Sequence, residues 1–230
     1  MRLLASLIAA FALCAAMSTT VLAAEPKTEE EKALYALGVA LSQSITSFSL
    51  TDQELEWVKS GVTDGAKGKT KDFDPQPYFA KLAEMQKTRS AAAAKVVLDK
   101  AAAEKGAKRL PSGLVITTIK EGTGPSPKAT DTVKVHYHGT LPDGRVFDSS
   151  RTRGEPATFP LNGVIKCWTE GVQLMKVGGK SKLVCPADIA YGDRSPSPLI
   201  QPGATLIFEV ELLAIEKPAA PPAAAPEKKN

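Results

Sequence analysis

The chain has 230 residues, 43% of them hydrophobic, and a formal net charge of +4. That is enough for one compact domain and a smaller helical one once a leader and a tail are set aside. Lys and Arg are interspersed with Asp and Glu and no basic block stands out, which excludes the usual signature of nucleic-acid binding.

The chain opens with Arg2 and an apolar stretch from Leu3 to Leu13, followed by Val21-Leu22-Ala23. This pattern predicts a secretory signal peptide over 1–23, cut near Ala23 or Ala24. A permanent anchor would need an uninterrupted apolar run of about 18 residues or more. A lipoprotein site at Cys14 would need a small residue where Leu13 stands. Export to the periplasm follows, and it leaves Cys167 and Cys185 as the two cysteines of the mature chain.

A helix is expected from Thr28 to about Phe48. Thr28 and Glu31 fit a capping box, and Leu34, Leu37, Leu41, Ile45 and Phe48 recur at spacings of three and four. A second helix starts at Thr51, capped with Glu54, and ends at Gly65 and Gly68. Together, residues 27–75 form a helical region whose narrow apolar stripe wants a partner helix, which points to a homodimer. A third helix begins at Asp74-Pro75 and continues to about Lys108 as a long connection over 76–108. Its second half, rich in Ala, Lys and Glu, reads as a solvated stalk, with a disordered linker as the alternative.

At Pro111-Ser112-Gly113 the apolar period changes from near 3.6 to 2. Thr132 to Thr140 alternates Val133, Val135 and Tyr137 with Lys134, His136 and His138, as a half-buried strand does. Asp143-Gly144 signals a hairpin. A short helix fits Lys166 to Met175, a strand fits Lys180 to Cys185, and Leu206, Phe208, Val210 and Leu212 alternate near the end. The expected fold class is α+β: an antiparallel sheet with one short helix over 109–217, behind an all-α N-terminal part. The Pro- and Ala-rich segment 218–230 reads as a disordered tail.

The chain offers no evident pairing of nucleophile with base. His136 and His138 share a strand face, but no further ligand completes a metal site, so no metal and no cofactor are expected. Gly178-Gly179 lacks the spacing of a phosphate loop. The second half does concentrate aromatic residues: Tyr137, Phe147, Phe159, Trp168, Tyr191 and Phe208. Taken as composition alone, these would be an ordinary sheet core.

Their order and context say more. VKVHYHGTLPDGRVFDSS (133–150), EPATFPLNGVIKCWTEGVQLMKVGGKSKLV (155–184), ADIAYG (187–192) and GATLIFEVELL (203–213) closely resemble the FKBP family of peptidyl-prolyl cis/trans isomerases. The helical region resembles the N-terminal extension of the dimeric, macrophage-infectivity-potentiator-like bacterial branch. The resemblance implies a curved sheet wrapped on a short helix, with the substrate pocket between them. Trp168 would be its floor. Tyr137, Phe147, Phe159, Val164, Ile165, Tyr191, Leu199, Ile200 and Phe208 would surround it, and Asp148 would stand at the edge, oriented by Arg153. The Tyr191 hydroxyl and the Ile165 N–H would bind peptide carbonyls.

The implied partners are unfolded or proline-containing exported polypeptides and macrolide inhibitors, with association to the outer membrane left open. A periplasmic holdase chaperone with incidental isomerase activity is the alternative function. Pro196 and Ala157 depart from common family residues and bear on inhibitor affinity. Cys167 and Cys185 also stand at positions unusual for the family, and both would border the same pocket. Their two readings are a disulfide and a pair of buried thiols behaving as small hydrophobes.

Overall fold

The structure is a computed structural model that describes residues 25–216. The expected signal peptide (1–23, with Cys14) and tail (218–230) lie outside those residues. The described chain divides into two units between Val39 and Ala40.

Helix α1 spans Glu29–Ser42. Its start is set as the sequence predicts: the Glu31 N–H donates to Thr28 Oγ1 (3.1 Å) and the Thr28 N–H donates to Glu31 Oε2 (2.9 Å). The helix stops short of Phe48, however. Thr46 Oγ1 donates to the Ser42 carbonyl at 3.0 Å, a 3-10 turn follows over Thr46–Phe48, and Ser49 takes a positive φ of 46°. Ser and Thr side chains compete in this way for helical carbonyls, so a run of them ends a helix that apolar spacing alone would continue. The predicted stripe is thereby split. Leu34, Leu37 and Leu41 lie exposed on α1, while Ile45 and Phe48 are half-buried beyond its end.

Helix α2, Asp52–Ala66, carries a full capping box between Thr51 and Glu54. Helix α3 spans Phe79–Ala102 after a 3-10 turn over Gln76–Tyr78. Arg89 on α3 ties the helices together: it donates to both carboxylate oxygens of Glu54, at 2.5 and 3.0 Å, and to the Phe48 carbonyl at 3.1 Å. Gln86 Nε2 adds a bond to Ser47 Oγ at 2.8 Å.

The third helix ends at Ala102 rather than near Lys108, because the chain turns at Gly106 (φ 80°) and residues 107–109 become a strand. Nor is its second half wholly a solvated stalk. Leu98 and Ala101 are buried against Val115 and Val184 of the sheet.

The sheet contains seven strands: β1 (Ala107–Arg109), β2 (Val115–Lys120), β3 (Thr132–Thr140), β4 (Val146–Ser149), β5 (Ala157–Pro160), β6 (Lys180–Cys185) and β7 (Leu206–Glu216). Their order is β1-β2-β6-β7-β3-β4, and every pairing is antiparallel. The free side of β3 is shared, β5 pairing with Thr132–Val135 and β4 with His138–Thr140. One edge is therefore the three-residue β1 and the other is divided between two four-residue strands. A helical turn, α4 (Ser150–Arg153), follows β4, and α5 (Lys166–Gln173) packs Trp168 and Val172 against the buried side chains of the sheet.

Alternation on β3 buries Val133, Val135 and Tyr137, and on β7 it buries Leu206, Phe208, Val210 and Leu212. These pack with Leu114, Leu161, Trp168, Val172 and Leu183 into the main core. Each such side chain contributes about 1.5–3 kcal/mol when taken fully from water.

Candidate active site

The core is open on one side of α5. Between that helix, β3, β4 and the segment after β6 lies a cleft of about 800 Å³. Trp168, 4% exposed on the first turn of α5, stands at its base. It meets Tyr137, Phe159 and Phe208 edge-on, with ring centroids 5.3, 5.7 and 5.3 Å away. Phe147 stands edge-on to Phe208 at 5.4 Å. Gly139 leaves room for it: a Cβ there would lie 2.7 Å from the Phe147 ring. Edge-to-face pairs of this kind contribute roughly 0.5–1.5 kcal/mol each beyond burial. The Trp168 Nε1 is buried with no acceptor among the described residues, so the floor is apolar down to its one polar atom.

Polar groups stand at the rim. Asp148 on β4 accepts from the Tyr137 hydroxyl and from Arg153 Nη1, and Arg153 Nη2 donates to the Tyr137 oxygen at 2.9 Å, closing a three-membered ring of bonds. Burial alone would raise the Asp148 pKa, but the bonds from Tyr137 and Arg153, together with the guanidinium charge, outweigh it and hold the carboxyl below its ordinary range. Burial and the Asp148 bond push the Tyr137 hydroxyl up, so it stays a donor.

Two groups at the cleft are unused. Ile165 is the N-cap residue of α5, and its carbonyl accepts from the Trp168 and Thr169 N–H groups. Its own N–H, and the Tyr191 hydroxyl across the cleft, have no partner among the described residues. A helix N-terminus carries a partial positive charge, so an N–H there suits a carbonyl oxygen.

Of the residues expected at the pocket, Tyr137, Phe147, Asp148, Phe159, Val164, Ile165, Trp168, Tyr191 and Phe208 all line this cleft. Arg153 acts on it through Asp148. Leu199 and Ile200 do not line it. Ile200 is turned into the main core, and Leu199 lines a separate small cavity beside α3. The Ser197–Ile200 bridge folds this loop back on itself. Sequence reasoning missed Lys166, Asp188, Asp193 and Arg194, four charged residues that line the cleft besides Asp148. Lys166 and Asp188 lie inside the quoted motifs and Asp193 and Arg194 directly follow one, and that position is their one signal.

Cys167 and Cys185 are joined by a disulfide, with Cα atoms 5.8 Å apart and both residues fully buried. It ties the first turn of α5 to the end of β6, one wall of the cleft to the strand that leads to Tyr191. His136 and His138 lie on the outer face, their Nδ1 atoms 3.1 and 3.0 Å from the hydroxyls of Ser150 and Ser149. Among the described residues no group of three or more His, Cys, Asp or Glu could hold a metal ion.

Comparison with known proteins gives the same direction. Residues 124–213 match the family described as FKBP-type peptidyl-prolyl cis-trans isomerase. The chain is 46% identical over 216 residues to the FKBP-type peptidyl-prolyl cis-trans isomerase FkpA of Aeromonas hydrophila, covering 86% of this chain and 80% of that protein. It is 36% identical over 233 residues to the outer membrane protein MIP of Legionella longbeachae, covering 95% and 99%. The crystal structure of FkpA from Escherichia coli superposes with a TM-score of 0.54 at 39% identity, covering 83% of this chain and 98% of that one.

Proposed function

The chain belongs to the FKBP-type peptidyl-prolyl cis-trans isomerases, in their macrophage-infectivity-potentiator-like bacterial branch, and on that premise we propose how this cleft isomerises its substrate and where. The barrier to rotating a peptide bond is about 18–20 kcal/mol, because planarity carries amide resonance. Before proline the two isomers lie close in energy, so the enzyme has only a rate to change. A twisted amide has lost resonance and is less polar at oxygen and nitrogen. A prolyl ring seated on Trp168 would sit among Tyr137, Phe159 and Phe208 in an environment that disfavours the polar planar amide more than the twisted one. The Ile165 N–H and the Tyr191 hydroxyl would hold carbonyls on either side of the ring. The Tyr137–Asp148–Arg153 ring of bonds fixes the cleft edge. The reaction needs no covalent step. The observation that carries this reading is the aromatic floor next to two hydrogen-bond donors that have no partner among the described residues.

The wider setting is part of the proposal. The chain would be exported by a signal peptide over 1–23 and act in the periplasm on unfolded, proline-containing exported polypeptides. The outer membrane protein among its relatives leaves association with that membrane open. No described helix is long and apolar enough to cross a membrane. Residues 27–75 would form a homodimer. Leu34, Leu37, Trp57 and Val62 support this, because each is more than half exposed. Residues 109–217, with the first two residues of β1 before them, would be the isomerase domain, and macrolides its inhibitors.

The deciding experiment is refolding of a protein limited by proline isomerisation, with catalytic amounts of the mature chain. Acceleration at substoichiometric enzyme supports isomerisation. An effect that appears only at stoichiometric amounts would instead identify a holdase.

A further inference from the structure

Helix α3 touches the sheet domain at two places. Near its end Leu98 and Ala101 are buried on Val115 and Val184. About two turns earlier Ser90 abuts Gly203 so closely that a Cβ on the glycine would lie 3.1 Å from the Ser90 Cβ. Alongside these contacts runs a groove of about 510 Å³, within the size range of ligand pockets. The helix lines it with Ala83, Ala91 and Ala94, and the domain with Pro186, Ala187 and Pro202. Between those alanines the helix also brings Gln86, Lys87 and Ser90 to the groove, so its wall sets methyl groups among polar ones.

The groove shares a wall with the catalytic cleft. Asp188, Gly192 and Asp193 line both. They flank Tyr191, so a chain that leaves the cleft across this segment enters the groove directly. The groove's charges do not select a strongly charged occupant: Lys95 and Arg109 are both engaged by Asp99, which leaves Lys87 on the helix facing the two carboxylates of the shared wall. Methyl groups set among polar side chains, with the charge balanced, suit an extended polypeptide whose small apolar side chains meet the former and whose peptide groups meet the latter.

We propose that this groove is a second substrate subsite, holding an extended apolar segment of the same polypeptide whose proline occupies the cleft. The proposal rests on the isomerase reading and adds to it where the substrate lies beyond the residues next to proline. Binding energy gained there becomes available to the reacting bond, so long substrates should be turned over better than short ones.

The test uses the full chain and three peptides with the same central X–Pro bond: a tetrapeptide, and two versions extended by about eight alternating apolar residues, roughly 26 Å of extended chain, toward either end. Exchange NMR gives kcat/KM for each. One extension is expected to raise kcat/KM about tenfold, the worth of one well-buried apolar side chain. Ala91→Trp, at an exposed helical position that lines the groove, should erase that gain and leave the tetrapeptide rate unchanged; Ala83→Trp should do the same. The proposal is overturned if neither extension helps, or if the gain survives both substitutions. If the tetrapeptide itself is not isomerised, the isomerase reading falls and this one with it, a result distinct from the loss of the length effect alone.

Discussion

Two tyrosines at the cleft differ in what their hydroxyls do before substrate arrives, and removing each oxygen should separate activity from stability. The Tyr191 hydroxyl has no partner among the described residues, so Tyr191→Phe removes nothing from the free fold. It should leave Tm unchanged and cost one bond to a substrate carbonyl, about 0.5–1.5 kcal/mol, a fall in kcat/KM of about two- to thirteenfold. The Tyr137 hydroxyl donates to Asp148 and accepts from Arg153. Bonds to charged groups contribute about 1.5–3 kcal/mol, but the Asp148 and Arg153 side chains are 44% and 46% exposed, so water replaces part of the loss. A cost of about 1–1.5 kcal/mol remains after that discount. Tyr137→Phe should therefore lower Tm by about 2–6 °C in a chain of this size. Calorimetry and exchange NMR on a short X–Pro peptide read both effects. A Tm drop of several degrees for Tyr191→Phe would mean its hydroxyl holds the fold, and undiminished activity would mean it touches no carbonyl; either result refutes the assignment.

The disulfide closes a loop with a sequence separation of 18, and in the chain-entropy model such a loop stabilises by about 3 kcal/mol. Replacing both Cys167 and Cys185 with Ala should lower Tm by about 6–12 °C, and two alkylatable thiols in unreduced, denatured protein would show that the bond is absent. Hydrogen bonds from Arg89, then the Thr51 N–H, hold the Glu54 pKa at about 2, below its unfolded value. Its contribution is thus complete above about pH 4.5 and drains as pH falls toward about 2. Denaturation curves should show Glu54→Gln losing less stability than the parent across that interval; parallel acid limbs would remove Glu54 from the account. Light scattering should find the mature chain dimeric and a fragment starting at Glu104 monomeric. A monomeric mature chain at micromolar concentration would mean that the exposed leucines of α1 are not an interface.

Where the period of two was strong, the elements came out as read. β3 spans Thr132–Thr140, and β7, with Leu206, Phe208, Val210 and Leu212 alternating, spans Leu206–Glu216. The aromatic residues converge because alternation on β3 and β7 puts Tyr137 and Phe208 on the same face as Trp168. Leu199 and Ile200 lie in a loop, where no period shows which way a side chain turns; Asp193 and Arg194 lie just beyond ADIAYG, and Lys166 and Asp188 stand inside quoted segments where a charged side chain carries no periodic signal. β1 was invisible for another reason. Its three residues show no alternation, and it exists only because Gly106 turns the chain back onto β2. The break after Ser42 depends on a side-chain bond from Thr46, a local competition that the leucine spacing conceals.

The edges of the sheet have a consequence for the company this enzyme would keep. A long unpaired strand is a template on which another extended chain can add itself, backbone to backbone. An isomerase that meets unfolded polypeptides meets such chains constantly. Here one border is Ala107-Lys108-Arg109, too short for a lasting ladder and with both of its cations exposed. The opposite border is broken between β4 and β5, so neither half offers more than four residues in line. Clients would be handled through side chains in the cleft and released, because the sheet gives them almost nothing to stitch onto.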